Sequence, residues 1–80
     1  MIIKLKSVEE IKKLMIIKGF SQRSLAEKLN LSDTHVNHVV NGLKNPGPVT
    51  AKKICDALEV EFKDIFFIDD DNKSYHKNLA

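Results

Sequence analysis

The chain has 80 residues, enough for one small domain and too few to wrap a deep active site. Hydrophobic residues make up 42% and charged residues 30%, which excludes a disordered polyelectrolyte, and no apolar run is long enough to span a bilayer. The net charge is +2, but the acidic run Asp69, Asp70 and Asp71 masks a more basic body.

In chain order, Ile3 and Leu5 alternate with Lys4 and Lys6, a very short strand-like pattern. This start has no sustained apolar core and no cleavage site, so no signal peptide is expected. Ser7 to Glu10 forms a capping-box pattern that opens a first helix, expected to run to about Lys18 and stop at Gly19. Ile11, Leu14 and Met15 form its inner face, and Ile16 and Ile17 fall off that face.

Ser21 caps a second helix, Gln22 to Leu29, with Leu25, Ala26 and Leu29 inward. Asn30 suits the following turn because it tolerates left-handed geometry, and Leu31 plugs that turn. Ser32 caps a third helix, expected over Asp33 to Asn41, with Val36, Val39 and Val40 apolar and Gly42 as its end. After a connector, Pro48 fits the first turn of a fourth helix whose inner face is Ala51, Ile54, Cys55 and Leu58. A fifth helix is expected from Phe62 to about Phe67, and residues 69–80 are expected to be frayed.

Two short helices joined by a tight turn suit DNA for a physical reason. A helix fits the major groove, and a braced partner helix fixes its angle. The N-terminus of the brace also offers unpaired N–H groups to a phosphate. Such a pair needs an apolar frame in register, and Leu25, Ala26, Leu31, Val36 and Val39 supply one.

The run Ser21-Gln22-Arg23-Ser24-Leu25-Ala26, followed by Val36, Val39, Asn41-Gly42 and Asn45-Pro46, resembles the lambda/Cro-like repressor (Xre) family. The resemblance spans roughly residues 8–67. It implies an all-α, compact five-helix lambda-repressor-like domain, with helices 2 and 3 as the helix-turn-helix. The expected organisation is an N-terminal arm over 1–6, the DNA-binding domain over 7–67 and a polar tail over 68–80. The resemblance places Gln22, Ser32, Asn41, Lys44 and Asn45 at DNA phosphates, and Asp33, Thr34, Asn37 and His38 at base edges. The residue chemistry agrees, since Asn37 can pair with an adenine edge and His38 can donate to guanine. Asp33 is acidic where DNA would approach, and its placement also suits the start of a helix.

The sequence departs from the family pattern at four places. Met15 and Val40 stand where a basic residue and a glutamate often pair, and Asn30 and Glu59 stand where glycine is common. Replacing both partners of a buried ion pair by apolar groups need not weaken a fold.

No enzyme chemistry is expected. The sole cysteine, Cys55, excludes an intrachain disulfide, suits a reducing compartment and is spaced as a small core residue. His35, His38 and Asp33 lack the cysteines and the fourth ligand of a structural zinc site, so no metal or cofactor is expected. Ile16, Ile17, Phe67, Ile68, Ile2, Ile3 and Leu5 form an apolar surplus with two readings. Either the N-terminal segment folds back over it, or Ile16, Ile17, Phe67 and the terminal segments build a homodimer.

The expected function is a sequence-specific transcriptional regulator, a repressor that reads a palindromic operator in double-stranded DNA as a dimer. It would act in a bacterial cytoplasm on the nucleoid, with its small size suggesting a phage or mobile-element origin and no membrane partner. An antitoxin of the same fold, binding a toxin through the tail as well as its own operator, is the alternative. A module that kept the fold for protein contacts alone is the third.

Overall fold

The computed structural model describes residues 1–70. A strand β1 (Ile2–Leu5) precedes helices α1 (Val8–Ile17), α2 (Gln22–Leu29), α3 (Asp33–Val40), α4 (Pro48–Leu58) and α5 (Phe62–Ile65), and a strand β2 (Phe66–Asp69) follows. Each helix start has a local cause. Ser7 Oγ accepts from Glu10 N, and Ser32 Oγ accepts from His35 N. Ser21 and Ser24 cap reciprocally, at 3.0 and 2.8 Å. At α1 only the Ser7 half of the expected box forms, and Glu10 is exposed. Pro48 opens α4, where a missing N–H costs nothing.

Four helices end alike. Gly19, Asn30, Gly42 and Glu59 all have positive φ, and the residue after each donates its N–H back to a carbonyl five positions earlier. Phe20, Leu31 and Val60, which follow three of these turns, pack against the core. Leu43 follows the fourth and stays exposed. Helix α3 stops at Val40, one residue before the expected end, and Asn41 is its C-cap.

One hydrophobic core fills the space between the helices. Ile11, Leu25, Val36, Ile54, Leu58, Ile65 and Phe66 are its largest fully buried members from α1 to β2. Met15 and Val40 both lie in it, so apolar packing replaces the ion pair that the family often places there. Cys55 is buried as well. Burial raises its thiol pKa above the ordinary value, and the Asp56 carboxylate adds to the effect.

The chain ends depart from expectation. Helix α5 stops at Ile65, and Phe66 to Asp69 run as a strand antiparallel to β1, with Leu5 opposite Phe66 and Ile2 opposite Asp69. A bond from Lys6 N to the Ile65 carbonyl, 2.8 Å, starts the pairing, and a Lys4–Asp69 ion pair, 2.8 Å, fastens the far end. Phe66, Phe67 and Ile68 favour an extended backbone once a partner strand is present. The N-terminal segment therefore does fold back, but onto β2 and not over α1. Ile16 and Ile17 remain 77% and 72% exposed. Asp69 is part of β2, so the expected frayed tail does not begin there; its remainder from residue 71 lies outside the described residues.

Candidate nucleic-acid interface

Helix α3 divides cleanly into two faces. Val36, Val39 and Val40 are buried, whereas Asp33, Thr34 and His38 are exposed and Asn37 is half-buried. All four polar residues proposed from sequence for base contact thus lie on the side of α3 away from the core, at spacings that share a helical face. The angle of α3 is set by α2, whose Leu25, Ala26 and Leu29 are all buried in the common core. Ala26 is only 1% exposed, and its small side chain permits close approach of the two helices.

Gln22 is the first residue of α2, and its carboxamide ties the two helices together. Its Oε1 accepts from Asn37 Nδ2 at 2.8 Å, and its Nε2 lies 3.4 Å from the Asp33 carbonyl oxygen. A sequence-proposed phosphate contact and a sequence-proposed base contact are therefore joined directly. Asn37 keeps its second amide hydrogen and its Oδ1, the donor and acceptor that an adenine edge requires.

The exit of α3 extends this polar edge. Asn41 Nδ2 donates to the Asn37 carbonyl at 2.8 Å, and Asn41 Oδ1 accepts from Lys12 Nζ at 2.6 Å. Lys44 and Asn45 are exposed on the connector beyond Gly42. Ser32 serves as the α3 cap; its oxygen is used by His35 N, and its hydroxyl hydrogen can still be donated. His35 is half-buried beside the face and not on it. From sequence Lys12 reads, with Lys13, Lys52 and Lys53, as an ordinary solvated face that could add a long-range field, and the structure ties it to Asn41. It sits 29 positions from Asn41, and no local spacing could pair the two.

Among the described residues, no three His, Cys, Asp or Glu side chains are arranged to hold a metal ion. No described helix is long and apolar enough to cross a membrane. What the arrangement offers is a braced helix with polar side chains outward and an N-terminus beside it that can take a phosphate.

These features define a helix-turn-helix domain of the DNA-binding class. The chain belongs to the helix-turn-helix family HTH_3, of the Xre/Cro-like type, which matches residues 11–65. It is also similar to a solved structure, the restriction-modification controller protein C.AhdI from Aeromonas hydrophila. Identity is 30% and the TM-score 0.63, over 70% of this chain and 85% of that one. No curated protein matches the chain significantly in sequence. The family membership is that of non-enzymatic DNA-binding regulators. Strands β1 and β2 lie outside the matched residues, so the sheet is joined to the family's helical body from its two ends.

Proposed function

We propose that the protein is a sequence-specific transcriptional repressor that binds a palindromic operator as a dimer, with α3 in the major groove. Its field of action is the cytoplasm, on the nucleoid. Asp33, Thr34, Asn37 and His38 contact base edges, and Gln22, Ser32, Asn41, Lys44 and Asn45 contact phosphates. The observation that carries this reading is the Gln22–Asn37 hydrogen bond. It holds the amide most suited to an adenine edge in one orientation before DNA arrives, which lowers the ordering cost of binding. Similarity to a protein described as a restriction-modification controller supports a regulatory role. Repression needs only occupancy of a promoter, which a domain of this size can provide.

The test is anisotropy titration against duplexes selected from a random pool, at two salt concentrations. The wild-type protein is expected to enrich a palindrome. Asn37→Ala should weaken operator binding by about 1–3 kcal/mol and relax preference at one position in each half-site. Gln22→Ala should weaken binding to all sequences, and on the operator its cost should overlap that of Asn37→Ala in a double-mutant cycle. Absence of any sequence preference at low salt would sink the proposal. Unchanged preference in Asn37→Ala and His38→Ala would sink the residue assignment alone.

A further inference from the structure

The described cations divide into two groups. Lys4, Lys18, Arg23, Lys52 and Lys63 each face a carboxylate, as ion pairs with Asp69, Glu59, Glu27, Asp56 and Glu61. Lys6, Lys12, Lys13, Lys28, Lys44 and Lys53 have no such partner among the described residues, and of these Lys6, Lys12 and Lys44 lie around the exit of α3. Lys12 reaches Asn41 from α1. Lys6 and Lys44 line one concavity of about 410 Å³, between the end of β1 and the α3–α4 connector, with Ser7, Gly42 and Asn45 in its wall.

The chemistry of the Lys12 contact matters. A carboxylate partner would cancel the ammonium charge, whereas the Asn41 amide oxygen fixes its position and leaves the charge intact. Two of its three N–H groups stay available. Lys6 is also held, because its own backbone N–H is bonded to the Ile65 carbonyl at 2.8 Å as β1 joins β2. Its side chain is exposed at the mouth of the concavity. The terminal sheet thus positions the backbone of one lysine, and the Asn41 amide fixes the ammonium of another, on the side of the molecule where Lys44 and Asn45 stand.

We infer that the surface for the DNA backbone continues past the helix-turn-helix onto α1 and the end of β1, with Lys12 and Lys6 each engaging a phosphate. The inference rests on the DNA-binding reading above and adds two residues from elements that reading does not use. Its ligand is the sugar-phosphate backbone, so these lysines contribute affinity and salt dependence and carry no base preference.

The test is titration of a selected operator and an unrelated duplex across a range of potassium chloride. Lys12→Met and Lys6→Met should each make the slope of log affinity against log salt shallower by about 1, and weaken both duplexes by a similar factor, roughly 3- to 10-fold at low salt. Lys12→Arg should keep the slope. Lys13→Met, next in sequence but exposed on the side of α1 opposite buried Ile11, should behave as wild type. Circular dichroism melts confirm folding, with Lys12→Gln as a second variant where Met perturbs it. Slopes unchanged in both Lys12→Met and Lys6→Met would overturn the inference, as would an equal loss in Lys13→Met, which would indicate a diffuse field. A wild-type protein that binds no duplex overturns the DNA-binding reading and this inference with it; a wild-type protein that binds while the lysine variants keep its slope overturns this inference alone.

Discussion

Glu59 carries φ 59° and ψ 45°, a left-handed conformation that costs an ordinary L-residue roughly 1–2 kcal/mol. It ends α4 in the same way that Gly19, Asn30 and Gly42 end the three helices before it. Two of those are glycines and one is the tolerant asparagine, so Glu59 is the strained member of the set. Its one compensation is an ion pair with Lys18 at 3.2 Å, and with the Glu59 side chain 74% exposed that pair contributes little. Glu59→Gly is therefore expected to stabilise the fold by about 0.5–1 kcal/mol, after the extra chain entropy of glycine is set against the relieved strain. Glu59→Val should destabilise by more than about 1 kcal/mol, since a β-branched residue is worse placed there. Urea unfolding monitored by circular dichroism measures both; a Gly variant less stable than wild type would show that the turn is not strained. The sequence shows this position as a departure from a common glycine, and the backbone angle gives that departure its physical meaning. Lys12, by contrast, gains its meaning only from a contact across the fold.

At the scale of elements, the helices were legible because their causes are local. Serine caps, Pro48, the glycines and the 3.6-residue apolar spacing all act within a few positions. The frame of the helix-turn-helix and the outward face of α3 follow from the same signals. The second strand was not legible, because its pairing joins residue 2 to residue 69 and no local pattern encodes that partner. After Phe62 and Ile65, another turn of helix was a fair reading of Phe66 and Phe67. The sheet places those two phenylalanines on opposite faces. Phe66 is fully buried, its ring tilted by 40° against that of Phe62 with centroids 5.5 Å apart, while Phe67 is 41% exposed. Phe66→Ala should thus cost about 3–5 kcal/mol, a large share of the stability of a domain this small. Phe67→Ala should cost under about 1 kcal/mol, measured at concentrations too low for self-association. Equal losses at the two positions in chemical denaturation would contradict the strand and favour a helix that continues through both.

The whole molecule presents more apolar surface than its core requires. Ile16 and Ile17 project from the end of α1, and Phe67 and Ile68 from β2, all at least 41% exposed. Ile2, Ile3 and Ile68 of the sheet also face Pro46, Pro48 and Phe62 across a mainly apolar groove of about 800 Å³. Scattered exposed apolar residues are ordinary, but this many large ones on a domain this small are the kind of surface that marks a contact. A second copy fits the function proposed above, because one α3 covers only a few base pairs and two related by a dyad read half-sites about 34 Å apart. An interface on a dyad uses the same residues from both copies, so a single charged substitution is introduced twice and acts strongly. Sedimentation equilibrium should accordingly show the 9.1 kDa chain at about twice its monomer mass at micromolar concentrations, the assembly expected when a C₂ pair forms. Ile16→Glu and Phe67→Glu should shift it toward monomer. These variants should also lose most of their preference for a full palindrome over a single half-site while keeping the salt dependence of each reading head, since α3 and the lysines around its exit are untouched. A wild-type chain that remains monomeric at all concentrations, or charged variants that still dimerise and still prefer the palindrome, would exclude these apolar residues as the dimer interface.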